Sequence, residues 1–268
     1  MNTKKTGKKR MIRLLKYNFL PTIQAFSTMR QGGVSQANYA SLNINPYCGD
    51  HSSDVEQNRK MLCERLNIPD ANLIIPHQVH ETTVRQIGKE LLSMSPSARE
   101  MILNGVDALI TDVPHVCIGV STADCIPLLL YDPEHQATAA VHAGWRGTVD
   151  RIAQKAVESM QIAYQTNPSK LLAAIGPGIS LEHFEVGDEV YQTFVEAGFD
   201  MEKIARHKTK WHIDLPFCNQ LQLQEAGIRP ANIQSTGICT YAQNNDYFSA
   251  RKQGINSGRI FTGILIKN

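Results

Sequence analysis

Residues 106–147 read VDALITDVPHVCIGVSTADCIPLLLYDPEHQATAAVHAGWRG, and this stretch decides the fold. It contains three apolar runs, HVCIGVS, IPLLLY and ATAAVHA. Between the second and third lies DPEHQ, an Asp-Pro turn, so those two runs are expected to fold back on each other as a hairpin. Counted about that turn, Tyr131 faces Ala137 and Ile126 faces His142, which leaves Cys125 one step from a cross-strand pairing with His142. Directly opposed residues have Cβ atoms about 5 Å apart, close to metal-ligand spacing, and a slip of one residue turns a side chain to the other face. A helix follows: Thr148 is the expected N-cap, and Val149, Ile152, Ala153, Ala156, Val157 and Met160 share one face.

Upstream, RQGGVS (30–35) is a turn signal between short extended stretches, and HSSDVEQNRKMLCERL (51–66) has helical spacing with Ser53 or Asp54 as its cap. ANLIIPHQVHETTVRQI (71–87) is rich in β-branched residues and interrupted by Pro76, so it reads as extended chain. Downstream, LLAAIG and WHIDL read as strands, 187–197 and 216–226 as helices, and the chain from Ile233 onward as extended again. Adjacent strands with interspersed helices, and no strict βαβ repetition, predict an α+β fold with mixed sheets. No linker or repeat divides the chain, so residues 18–268 are expected to form one domain.

Composition narrows the function. Apolar residues are 42% and charged residues 19%, as in ordinary soluble folds. Residues 1–17 carry seven basic side chains and no acid; removing these seven from 27 leaves 20 against 25 acids, an acidic body poorly suited to gripping a polyanion. That segment reads as a solvated, disordered leader, and nucleic acid is not an expected partner. Lys16 cuts short the apolar run MIRLL, which argues against a secretory signal, and no window approaches the roughly 20 apolar residues of a membrane span. Six cysteines without a CxxC pair read as reduced thiols of a cytoplasmic protein.

Cys125 follows the turn sequence STAD and His142 precedes AGWRGT, so both sit at element ends, where side chains can converge on a cleft. The pair His77 and His80 is spaced by three; in extended chain this puts the two on opposite faces, so one of them is a ligand candidate and spacing does not say which. One cysteine and two histidines would give Zn²⁺ three protein ligands and an open fourth position, the pattern of catalytic zinc, able to activate water. Asp107 and Asp124 are candidates for proton transfer or for capping turns. Arg146, in GWRGT at a helix start, offers an anion site.

The blocks STMRQGGVS (27–35), DVEQNR (54–59), HQVH (77–80), DALITD (107–112), GVSTADCIPLLLYD (119–132), AAVHAGWRGT (139–148), AIGPGIS (174–180), GICTY (237–241) and FSAR (248–251) resemble the YfiH-like family from about residue 18 to the C-terminus. Its members carry the labels laccase-domain protein, polyphenol oxidase, peptidoglycan editing factor and purine nucleoside phosphorylase. Met29 interrupts the family's Ser-Thr-Arg order and the N-terminal tail lies outside its pattern. The resemblance implies a layered α/β/β/α sandwich and the metal ligands His80, Cys125 and His142, choosing the second histidine of HQVH. It implies zinc, with copper less favoured, and phosphorolysis of adenosine, inosine and methylthioadenosine together with adenosine deamination. Asp124, Arg59 and His77 are the expected catalytic residues, and Asn43, Arg59, His77 and Arg146 the expected substrate contacts. The expected partners are a small nucleoside and phosphate, with the chain a monomer or weak homo-oligomer. Rival readings are a copper-dependent polyphenol oxidase, disfavoured by nine histidines with no HxH pair; a cysteine hydrolase using Cys125 and His142; and a non-catalytic binding protein.

Overall fold

A computed structural model describes residues 11–267. In chain order the elements are β1 (Leu14–Lys16), β2 (Ile23–Thr28), α1 (Ser52–Leu66), β3 (Leu73–Ile74), β4 (Val84–Gln86), α2 (Glu90–Ser93), α3 (Pro96–Leu103), β5 (Ala108–Thr111), β6 (Cys117–Thr122), β7 (Ile126–Asp132), β8 (Ala137–Ala143), α4 (Trp145–Val149) and α5 (Ile152–Tyr164). They continue with β9 (Leu172–Ile175), β10 (Glu185–Val186), α6 (Asp188–Glu196), α7 (Met201–Ile204), β11 (Ala205–His207), β12 (Trp211–Ile213), α8 (Leu215–Glu225), β13 (Ile233–Ser235), α9 (Ala250–Gln253) and β14 (Ile260–Ile266). Three sheets result, ordered β1-β2-β14-β6-β3, β13-β9-β7-β8-β5-β4 and β10-β12-β11. The parallel pairs β4 with β5 and β9 with β13 in the six-stranded sheet, and β3 with β6 in the five-stranded one, sit beside antiparallel pairs, so the two large sheets are mixed.

Alternation along the strands builds the layers. On β7, Leu128 and Leu130 join Ile152, Ala156 and Met160 of α5 and Leu223 of α8, while Leu129 and Tyr131 meet Ile118 and Val120 of β6 and Ile264 of β14. On the far side of the five-stranded sheet, Phe26, Cys117, Phe261 and Leu265 pack on Leu62 and Leu66 of α1. The order is therefore α1, sheet, sheet, α5 with α8: the α/β/β/α sandwich, each fully buried leucine contributing about 1.5–3 kcal/mol by leaving water.

Several local expectations change. The hairpin register pairs Pro127 with His142, Ile126 with Ala143 and Tyr131 with Thr138, one residue off the symmetric count. Thr148 lies inside the short α4, whose N-cap is Gly144; α5 begins afresh after Arg151, which has φ +65°. α1 starts at Ser52 with His51 as its cap and no side-chain bond there, so Asp54 serves the helix dipole in the first turn and neither Ser53 nor Asp54 caps it. Of the leader expected over 1–17, residues 1–10 lie outside the described residues. The rest joins the fold, because β1 pairs with β2 and both Ile12 and Tyr17 are buried.

Candidate metal centre and cleft

Four chain segments meet at one end of the layer between the two large sheets. Cys125 immediately precedes β7, His142 is next to last in β8, His80 lies in the loop between β3 and β4, and Asp107 immediately precedes β5. The register correction matters here. With His142 opposite Pro127, Cys125 is two residues from the paired position, so the two point to the same face, which the symmetric count denied. One potential ligand atom from each of His80, Cys125 and His142 lies within 4.8 Å of the others. The imidazole rings of His80 and His142 meet edge to face with centroids 4.7 Å apart.

Asp107 organises this end. Its Oδ1 accepts from His142 Nδ1 at 2.7 Å and from the His80 backbone N–H at 3.0 Å, and its Oδ2 accepts from the N–H groups of Val79 and Glu81 at 3.2 and 2.9 Å. The Asp107 carbonyl also accepts from the His142 N–H at 2.8 Å. One buried carboxylate thus fixes the His142 tautomer, leaving Nε2 free for a ligand, and shapes the loop that presents His80. That loop places His80 at φ +67°, and Asp124, beside Cys125, has φ +91°; both are uncommon for residues with a side chain. Burial pushes the Asp107 carboxyl up, but His142 and the loop N–H groups outweigh it and hold it below its ordinary value. Burial likewise pushes the Cys125 thiol up, while the imidazoles of His142 and His80 bring it down to about 6.

These residues fit a metal ion. A tetrahedral site with bonds of 2.0–2.3 Å needs donors about 3.3–3.8 Å apart, so the trio requires closure by about 1 Å, within reach of one torsion of the exposed His80. Gly144 supplies the room: a Cβ there would stand 3.0 Å from His80 Cδ2 and 3.2 Å from Cys125 Sγ. The donor set, one sulfur and two imidazoles, suits zinc or copper.

The trio forms the floor of a cleft of about 770 Å³, within the size range of small-molecule sites. Tyr47, His77, Gln78, Ser121, Thr122, Asp124, Trp145, Phe184, Arg251 and Arg259 are among its walls. His77 stacks on Tyr47 at 4.4 Å and its Nδ1 contacts Asn104 Oδ1 at 2.7 Å. Of the residues expected at the substrate, His77 and Asp124 reach this cleft and Asn43, Arg59 and Arg146 are not among its walls. Asn43 is fully buried and ties Asp50 to the Arg259 backbone. Arg59 donates to the Leu73 carbonyl behind the wall, and Arg146 lies over the Trp145 ring at 4.2 Å. Asp124 spends one oxygen on Thr240 Oγ1 at 2.7 Å and the other on the Arg251 N–H at 2.6 Å, which suits a clamp on the C-terminal segment better than a proton carrier.

Sequence reasoning passed over Arg251, although FSAR was in view, and Arg259, which stands in no motif block. It also passed over Ser121 and Thr122, in the STADC block. The hydroxyls of these two are buried and without a hydrogen-bond partner among the described residues, which costs about 1–3 kcal/mol each.

Comparisons with known proteins give the family and the fold. A family described as multi-copper polyphenol oxidoreductase laccase matches residues 24–267. A purine nucleoside phosphorylase of Bacteroides thetaiotaomicron is 45% identical over 264 residues, covering 97% of this chain and 98% of its own. Adenosine deaminase RL5, from an unknown prokaryotic organism, is 40% identical over 96% of this chain and all of its own. The crystal structure of the hypothetical protein YfiH of Bacillus licheniformis superposes with a TM-score of 0.88 at 28% identity, covering 96% of this chain and 99% of that one.

Proposed function

We propose that this chain, which belongs to the multi-copper polyphenol oxidoreductase laccase family, also called YfiH-like, is a single-metal enzyme of purine nucleosides. It phosphorolyses adenosine, inosine and methylthioadenosine to the base and the sugar 1-phosphate, and it deaminates adenosine. The observation that carries this is the convergence of His80, Cys125 and His142 on the floor of a nucleoside-sized cleft. The two relatives named for phosphorolysis and deamination, each matched over nearly its whole length, supply the substrate class.

Zinc held by one thiolate and two imidazoles would supply Lewis acidity at the cleft floor. The chain's own residues do the rest. Asp107 holds His142 in the ligating tautomer, the clustered imidazoles keep Cys125 as thiolate, and Trp145 and Phe184 offer aromatic surface for a purine ring. Arg251 and Arg259 bring positive charge where an oxyanion is handled, the part that the sequence reading gave to Arg59 and Arg146. Among the described residues one group of three metal-ligating side chains occurs, which favours a single-metal site over a multicopper cluster.

The decisive test incubates purified, zinc-loaded protein with adenosine, with and without phosphate, and separates the products. Adenine and ribose 1-phosphate are expected only with phosphate, and inosine in both conditions. Cys125→Ala should lose bound metal and lower both activities by more than about 100-fold. A second reading rests on the lowered Cys125 thiol beside His142, the arrangement of a cysteine nucleophile. Full activity in protein stripped of metal would establish that reading and sink the first.

A further inference from the structure

The geometry points to a phosphate subsite at the open end of β6, formed by the Ser121 hydroxyl and the Arg259 guanidinium. It deepens the phosphorolysis reading and rests on it only for the identity of the anion.

Three observations meet there. First, Ser121 is 5% exposed and lines the cleft, and its hydroxyl has no partner among the described residues. The backbone of the same residue is fully engaged: its N–H donates to Gln78 Oε1 at 2.7 Å and its carbonyl accepts from Gln78 Nε2 at 2.9 Å. Ser27, by contrast, is buried in the same sheet with its hydroxyl bonded to both Tyr17 and Thr262. A buried hydroxyl held rigidly at a cleft wall with no protein partner is built to meet something that enters the cleft.

Second, the positive charge beside it is fixed without being neutralised. Arg259 Nη1 donates to the Ser257 carbonyl at 2.5 Å, the Gly258 carbonyl at 3.1 Å and the Ser257 hydroxyl at 3.3 Å, and Nη2 to the Ile255 carbonyl at 2.9 Å. This leaves one Nη2 hydrogen and Nε–H without an acceptor among the described residues, and Arg259 makes no ion pair among them. Carbonyls position a guanidinium and leave its charge in place. Asp124 carries the one carboxylate among the cleft walls, and both its oxygens are already engaged by Thr240 and Arg251.

Third, both residues line the same cleft at the end where β6 pairs with β14. Ser121 pairs with Phe261 and Thr122 with Ile260 on the last rung, and Arg259 is the residue that precedes β14, one step beyond that rung. Cross-strand diagonal neighbours stand about 7–8 Å apart at Cα, a gap that a tetrahedral oxyanion bridges by accepting from both sides. Phosphate is the oxyanion that phosphorolysis consumes.

Equilibrium dialysis of zinc-loaded protein against radiolabelled inorganic phosphate tests the subsite directly, alongside KM for phosphate and for adenosine. Ser121→Ala should weaken phosphate binding and raise the phosphate KM by about tenfold, the weight of one hydrogen bond to a charged group, with the adenosine KM moving by less than about twofold. Arg259→Ala should have the larger effect, and Arg259→Lys, which keeps the charge and the folded state but loses the planar fork, an intermediate one. Unchanged phosphate binding in Ser121→Ala and Arg259→Lys, or a shift confined to the adenosine KM, would overturn the subsite and leave the hydroxyl to water or to the sugar. If the parent makes no phosphate-dependent product, dialysis still decides: binding lost in the variants upholds the subsite while the phosphorolysis reading falls, and no binding by the parent removes the subsite itself.

Discussion

The two ends of the β7–β8 hairpin each carry a histidine bonded to an aspartate, and of the two histidines His142 lines the cleft and His135 does not. At the turn, His135 Nδ1 meets Asp132 Oδ2 at 2.9 Å, with the histidine side chain 40% exposed. The other oxygen of Asp132 accepts from the N–H groups of Glu134 and His135, so the pair closes the turn on itself. At the open end, His142 Nδ1 meets Asp107 Oδ1 at 2.7 Å, and both side chains are essentially out of water. The free edge of that imidazole faces a thiol and a second imidazole at the floor of a cleft. A histidine–carboxylate pair is therefore no signature of chemistry by itself; what distinguishes the open end is where its second nitrogen points and how many segments Asp107 ties together.

The sharpest way to break this contrast is Asp107→Asn. The amide keeps the shape but loses the charge and one acceptor, so it cannot satisfy His142 Nδ1 and three backbone N–H groups together. Zinc affinity, read by competition with a chromophoric chelator, is expected to drop about 10–100-fold, the usual effect of removing a ligand's orienting partner. Affinity equal to the parent's would reduce Asp107 to another turn-former like Asp132.

Much of this was legible in the sequence, and the misses have physical causes. The mixed-sheet α+β class followed from the adjacent apolar runs in 106–147 and the interspersed helices, the layered sandwich came from the resemblance, and the hairpin followed from its Asp-Pro turn. The register was off by one because Asp132 stays on the strand opposite Ala137, so the turn spans 133–136 instead of the whole of DPEHQ, and Gln136 closes it at φ +51°. The resemblance supplied His80, since only the folded loop shows that Asp107 holds residue 80 toward His142 while residue 77 stacks on Tyr47. Asn43 and Arg59 sit one layer behind the wall: Asn58, on the buried stripe of α1, binds the Asn43 carbonyl at 2.8 Å, so that part of the DVEQNR block builds the scaffold of the loop and not its surface. Arg259 carried no signal, being placed in the cleft by the pairing of β14 with β6, about 140 residues apart in sequence.

A second prediction separates the two ends by pH in protein stripped of metal. Cys125 is brought down to about 6 against its burial, and burial pulls His142 down while Cys125 and Asp107 lift it to about 9. The depressed thiol adds stability that is complete above its unfolded value, near about 8.5, and fades as pH falls through about 6. The raised imidazole adds stability that is complete below its unfolded value, near about 6.5, and fades as pH rises through about 9. The stripped protein should therefore melt highest between those limits, lower by a few degrees on either side, and Cys125→Ser should flatten the acid limb. A melting temperature that is flat between about pH 5 and 7 in the stripped parent would show that the thiol and imidazole do not exchange charge.

The smallest effect belongs to the turn itself. His135→Ala removes a half-exposed partner from Asp132, whose oxygens keep the Glu134 and residue-135 N–H groups, so the turn retains its backbone closure. The lost side-chain hydrogen bond to the buried Asp132 should cost about 0.5–1.5 kcal/mol, read by chemical denaturation. Metal content should match the parent, because the altered side chain lies at the opposite end of the seven-residue strand β8 from His142. A drop in bound metal would mean that strain in the turn is transmitted along the paired strands to the ligand end. The hairpin would then act as one rigid lever, and the separation of a structural from a chemical histidine–aspartate pair would fail.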